Sequence, residues 1–110
     1  MDLTRLTELA DQLLGQARNE HSGRAAATVH GGRHHSLRQT VIALTAGSEL
    51  AEHESPGEAT LQVLRGRVRL TAESGEGNGS AGDLLVIPPE RHGLSAVEES
   101  VVLLTVVKPA

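Results

Sequence analysis

The chain has 110 residues, enough for one domain with a single core but not for two. Ten Lys and Arg against fourteen Asp and Glu give a formal charge of -4, with the signs mixed and no basic run, which argues against the clustered cations that nucleic-acid binding needs. Phe, Tyr and Trp are absent, so the aromatic faces that hold unpaired bases or sugar rings are missing too, and any core is built of Leu, Val, Ile and Ala.

The first predicted element is an amphipathic helix. Leu3, Leu6, Leu9, Ala10, Leu13, Leu14 and Ala17 recur at helical spacing, with Arg5, Glu8, Asp11, Gln12 and Arg18 on the other side. Asp2 stands where an N-cap would, so the expected helix runs from about Leu3 to Ala17. A lone helix this short is marginal in water and needs a surface to dock on. Residues 19 to 36 are polar and Gly-rich and read as a connection, with at most a short strand around Ala27 to His30. From Leu37 the pattern turns strand-like: LRQTVIAL is β-branched and mostly apolar and ends in a turn at Ala46 to Ser48.

Ser55, Pro56 and Gly57 read as another turn, followed by strands at Thr60 to Leu64 and Val68 to Thr71 hinged at Gly66. Arg65, Arg67 and Arg69 then alternate along what reads as one strand face, turned to solvent or to a subunit contact. Gly75, Gly77, Gly79 and Gly82 suggest a flexible hairpin tip. Leu84 to Ile87, Leu94 to Val97 and Val101 to Val107 are the last strands, with Pro88 and Pro89 forcing a corner. One helix followed by many short strands separated by Gly and Pro turns is the pattern of a sandwich or jelly roll. The absence of cysteine removes disulfides, thiolate nucleophiles and cysteine-bound zinc. Asp2, Glu8 and Asp11 interrupt any apolar leader, and the run VVLLTVV is too short to span a bilayer. A cytoplasmic protein with no membrane partner is the expectation.

Two glycine-flanked blocks carry the chemistry. The first, Gly47 to Gly66, reads GSELAEHESPGEATLQVLRG, and the second, Gly82 to Ala96, reads GDLLVIPPERHGLSA, with fifteen residues between Gly66 and Gly82. Together they resemble the two motifs of the cupin family. The first cupin motif runs glycine, five residues, His, one, His, three or four, Glu, six, glycine; the second runs glycine, five, Pro, one, Gly, two, His. Here His53 fits the first motif, but Ser55 holds the second His position and Ala59 the Glu position. In the second block Gly82 and Pro88 fit, Glu90 stands where Gly is usual, and the histidine arrives one residue early as His92.

The resemblance covers roughly residues 37 to 107 and implies an all-β fold, a double-stranded β-helix or cupin jelly-roll barrel of the RmlC-like type, preceded by one N-terminal α-helix. Residues 1–36 would form the helix and connecting segment and 37–110 the barrel, as one structural domain. A complete cupin site holds a divalent metal, iron, manganese, nickel, copper or zinc, between three histidines and a glutamate. This chain retains His53 and His92 as metal or ligand-binding candidates, and Ser55 and Ala59 cannot replace the other two. His34, His35 and Glu58 are the candidates for a third ligand, although Glu58 sits one position early, on the face that strand alternation turns away from His53. Arg38 or Gln39, whichever faces inward, and Ser55 complete the candidate pocket, where an arginine could hold a small carboxylate. Two functions follow: a binding module for a small molecule around His53 and His92, with no metal, or a metal-dependent cupin enzyme such as a dioxygenase, isomerase or decarboxylase with a non-standard ligand set. The family resemblance, with a helix and a C-terminal strand that need cover, also implies a homodimer.

Overall fold

A computed structural model describes residues 1–55 and 57–108. It contains one helix, α1 (Leu6–Arg18), and nine strands in two antiparallel sheets. The first sheet has the order β1 (Arg24–His30), β2 (Leu37–Leu44), β9 (Ser100–Val107), β4 (Glu58–Arg65), β7 (Leu84–Val86). The second has the order β3 (Glu49–His53), β8 (His92–Ala96), β5 (Arg67–Ala72), β6 (Gly75–Ser80). The two sheets face each other as a jelly roll with the helix on the outside, the architecture that the two motifs imply. Among the described residues no helix is long and apolar enough to cross a membrane.

β2 and β9 are apolar on both faces because each has two layers to fill. Ile42, Leu44 and Val102 point between the sheets, where Leu61, Val63, Val68 and Leu94 meet them. Val41, Ala43 and Val101 point the other way, against Ala10, Leu13, Leu14 and Ala17 of α1. The helix therefore docks on the barrel through its apolar stripe. It starts at Leu6 rather than Leu3, and its N-cap is Arg5, with no side-chain cap, rather than Asp2. Leu3 is 70% exposed, so the extra turn would have extended the stripe beyond the sheet and buried nothing. Two arginines tie the helix down: Arg65 donates to Asp11 Oδ1 at 2.6 Å and to the Thr7 carbonyl at 3.0 Å, and Arg18 grips both carboxylate oxygens of Glu99 at 2.7 and 2.6 Å.

Three elements differ from their sequence reading. The connection after the helix contains a full seven-residue strand, β1, which pairs with β2 from Arg24↔Leu44 to His30↔Gln39. Its Ala25, Ala27 and Val29 close the layer under the helix, so residues 1–36 and the barrel share one sheet. The glycine-rich stretch expected to be a flexible tip is also a strand, with β6 paired to β5 from Arg67↔Ser80 to Ala72↔Gly75. Gly79 makes room for close neighbours: a Cβ there would lie 3.1 Å from Val63 Cγ2 and 3.2 Å from Leu85 Cδ1. Finally, the three alternating arginines do not share a strand. Gly66 alone carries the chain from β4 in one sheet to β5 in the other, leaving Arg65 against the helix and Arg67 and Arg69 exposed on the second sheet. Gly66 has φ 81°, and a Cβ there would lie 2.1 Å from the Glu99 carbonyl oxygen and 2.4 Å from Ser100 Oγ, so only glycine fits this crossing. Ser100, fully buried, holds the other side by accepting from the Arg67 N–H at 3.0 Å.

Candidate functional site

The site lies between the sheets, at the end where β3 and β8 pair His53 with His92. On β8 simple alternation sends His92, Leu94 and Ala96 inward, and all three are buried. On β3 it would not work, because Leu50 and His53 are three residues apart and would face opposite ways. The register resolves this: Leu50 pairs with Leu94 and His53 with His92, so three steps on β3 oppose two on β8. The extra residue is a β-bulge, and it returns His53 to the inner face. The two rings meet edge to face with centroids 4.5 Å apart and planes at 62°.

Each imidazole is anchored by its own backbone. His53 Nδ1 lies 3.1 Å from the carbonyl oxygen of Ala51, and His92 Nδ1 lies 2.9 Å from that of Glu90. Both anchors are the carbonyl two residues upstream. Glu90 does more than supply its carbonyl. Its carboxylate accepts from the Ser74 N–H at 2.6 Å, and that hydrogen bonding from Ser74 holds the Glu90 carboxyl below its ordinary pKa. Glu90 thus links the His92 segment to the turn between β5 and β6. It occupies the position where the family motif has glycine, and nothing in the sequence marked it as a positioning residue.

His53 and His92 line one side of a cavity of about 40 Å³, room for a few water-sized groups. The rest of its wall is aliphatic: Leu50, Leu61, Leu70, Ile87, Leu94 and Leu104. No motif marks these wall residues, although inward alternation along β4, β8 and β9 is the signal that finds most of them. Ala59 also lines the cavity, where the complete motif has its glutamate. β4 is in regular register here, with Glu58↔Val107, Ala59↔Val106 and Thr60↔Thr105, so Glu58 is exposed on the opposite face.

The other candidates lie elsewhere. Ser55, half-buried, donates from Oγ to the Gly57 carbonyl at 2.9 Å. Arg38 is exposed at the end of the β2 inner face, two strands from Ala59 in the same row. Gln39 is on the outer face and donates from Nε2 to Thr105 Oγ1 at 3.2 Å. None of these three lines the cavity. His34 and His35 belong to the loop between β1 and β2, where the His35 ring packs edge to face on His30 at 5.0 Å. Among the described residues no three His, Asp or Glu side chains gather to hold a metal ion. His34, His35 and Glu58 therefore do not join His53 and His92. With a methyl at Ala59 and the Ser55 hydroxyl committed to Gly57, the residues present do not fit the four-ligand metal group of the family.

Outside the cavity, Glu52 and Glu54 flank His53 and share Arg91, at 3.5 Å and 3.4 Å.

Comparison with known proteins agrees with this fold. A conserved protein of unknown function from Streptococcus pyogenes is 33% identical over 83% of this chain and 79% of its own, with a TM-score of 0.73. An RmlC-like cupin from Desulfovibrio desulfuricans is 26% identical over 79% of this chain and 84% of its own, with a TM-score of 0.68. Salicylate 1,2-dioxygenase from Pseudaminobacter salicylatoxidans shares the fold at 21% identity and a TM-score of 0.76, and this chain spans only 33% of its length. No protein-family profile and no curated protein sequence matches the chain. A small jelly roll with an imidazole pair at one end of its interior defines the class, and the chain belongs to the cupin superfamily.

Proposed function

We propose that the protein is a binding cupin that holds a small molecule in the cavity against His53 and His92. The observation that carries this reading is the pairing of two anchored imidazoles with an otherwise aliphatic wall. A concave, mostly apolar pocket with a few convergent polar groups is the usual form of a ligand site. The loss of the carboxylate and of the second motif histidine supports binding over metal chemistry.

The test is a thermal-shift screen of small molecules on the parent chain and on the double variant His53→Ala, His92→Ala. A ligand at a hundred times its Kd stabilises by about 2.7 kcal/mol, roughly 10 °C in Tm for a domain of this size. Hits that raise the parent's Tm and not the variant's would support the reading. Near-stoichiometric iron, manganese, nickel, copper or zinc in the parent, absent from the variant by elemental analysis, would replace it with the metal-dependent enzyme.

The protein is also proposed to be a homodimer. Leu37 and Val107 face each other across β2 and β9, and Leu84 and Val86 lie exposed on β7 of the same sheet, leaving apolar surface that the helix does not cover. A monomer by sedimentation at tens of micromolar would remove this proposal.

A further inference from the structure

If the cavity holds a ligand as proposed above, the two imidazoles decide what kind. The carbonyl oxygens of Ala51 and Glu90 can only accept, so the Nδ1 atoms facing them at 3.1 and 2.9 Å carry the hydrogens. A neutral imidazole has a single N–H, so both Nε2 atoms present lone pairs. Neither Nε2 has a hydrogen-bond partner among the described residues. Although His92 is only 4% exposed, no buried side-chain nitrogen there lacks a partner, so its Nε2 touches open space rather than packed protein.

The remainder of the cavity offers no proton. Leu50, Leu61, Leu70 and Leu104 are hydrocarbon, outside the cavity Arg91 is shared by Glu52 and Glu54, and Arg38, exposed at the end of the β2 inner face, does not line it. An anionic head group would bring its lone pairs against two others and find no cation in the cavity wall to meet it. A head group that donates hydrogen bonds satisfies both imidazoles at once. From this we infer that the ligand is a small aliphatic molecule with a donating head, a primary alcohol or amine, and that the site rejects carboxylates. Chain length is limited by Leu70, which forms a wall of this cavity and also of a neighbouring 280 Å³ cleft bordered by Leu85, Val86 and Pro88.

The experiment is NMR of the imidazole nitrogens of the intact chain at about pH 8, where imidazole is neutral. The probes are n-butanol, n-butylamine, butyrate and zinc alone. The alcohol or the amine is expected to shift the Nε2 resonances of His53 and His92 together with the methyls of Leu61 and Leu104. Butyrate is expected to bind about tenfold more weakly or not at all, the order that follows from an unpaired acceptor. Ala59→Leu, which fills the cavity with hydrocarbon, should abolish the butanol response in a folded chain.

Butyrate binding as tightly as butanol would overturn the ligand class and leave the binding reading standing. So would methyl shifts with no change at Nε2, or rings protonated at Nε2. Stoichiometric zinc that shifts both Nε2 atoms and blocks butanol would overturn both the class and the binding reading. A chain in which no probe moves the imidazoles or the methyls would also take both down.

Discussion

Two apolar layers share the same strands and are packed differently. The outer layer, between α1 and the first sheet, is closed by small residues: Ala10, Ala17 and Ala43 are each at most 1% exposed and bring helix and sheet together tightly. The inner layer, between the sheets, is as well buried at Leu44, Val63 and Val68, but towards His53 and His92 it leaves space. Adjacent residues of β2 serve the two layers in turn, Val41 and Ala43 outward and Ile42 and Leu44 inward. Tight packing in one layer and a gap in the other are therefore choices of side chain on a common backbone. Such a division keeps the scaffold rigid while one end of the barrel stays open to a ligand.

The largest effect is expected where the layers are joined. Gly66→Ala would drive a Cβ to 2.1 Å from the Glu99 carbonyl oxygen at φ 81°, and both layers should loosen together. The expected loss is about 4 kcal/mol or more, read as a drop in the urea midpoint with little folded protein at physiological temperature. Next come two identical substitutions with different results. Ala43→Leu overfills the outer layer and should cost about 1–3 kcal/mol, whereas Ala59→Leu enters the cavity and should change stability by less than about 1 kcal/mol. Equal losses from the two would show that the inner space is not available, and the contrast between the layers would fail.

Glu99→Gln should have the smallest effect. The carboxylate is exposed, and its hydrogen bonds from Arg18 hold its pKa below the ordinary value. A lowered folded-state pKa stabilises above the unfolded carboxylate range and is lost as pH falls through the folded value. The parent should therefore melt slightly above the variant at neutral pH, and the gap should close as the solution is acidified through the lowered pKa of the folded carboxyl. A gap that persists in acid would mean that Glu99 acts through something other than its charge.

Much of the barrel could be read from the residues. LRQTVIAL and the run from Val101 to Val107 read as strands from their β-branched, apolar composition, and the glycine at 66 sat where the chain had to turn. What escaped depended on partners. β1 was obscured because RAAATVH is alanine-rich and has little strand propensity of its own; pairing with β2 and cover from the helix make it a strand. β6 was obscured because its glycines read as freedom, whereas Val63 and Leu85 crowd Gly79. At the site, the motifs put His53 and His92 together and the structure agrees, but the means was not legible, since it depends on a bulge in β3 that no local pattern announces. The third-ligand candidates failed for a related reason: sequence shows which residues can ligate, but the β1–β2 loop and the regular register of β4 decide where they lie.

The wiring of the two imidazoles has one further consequence. Each ring is pinned by a carbonyl two residues away on its own strand segment, so its orientation is carried by a stretch of three residues and owes nothing to the opposite wall. Leu61, Leu70 or Leu104 can therefore be exchanged without turning either ring. A lineage could re-cut the pocket for one ligand after another while the polar end stayed as it was, which makes this barrel a favourable starting point for divergence and for redesign.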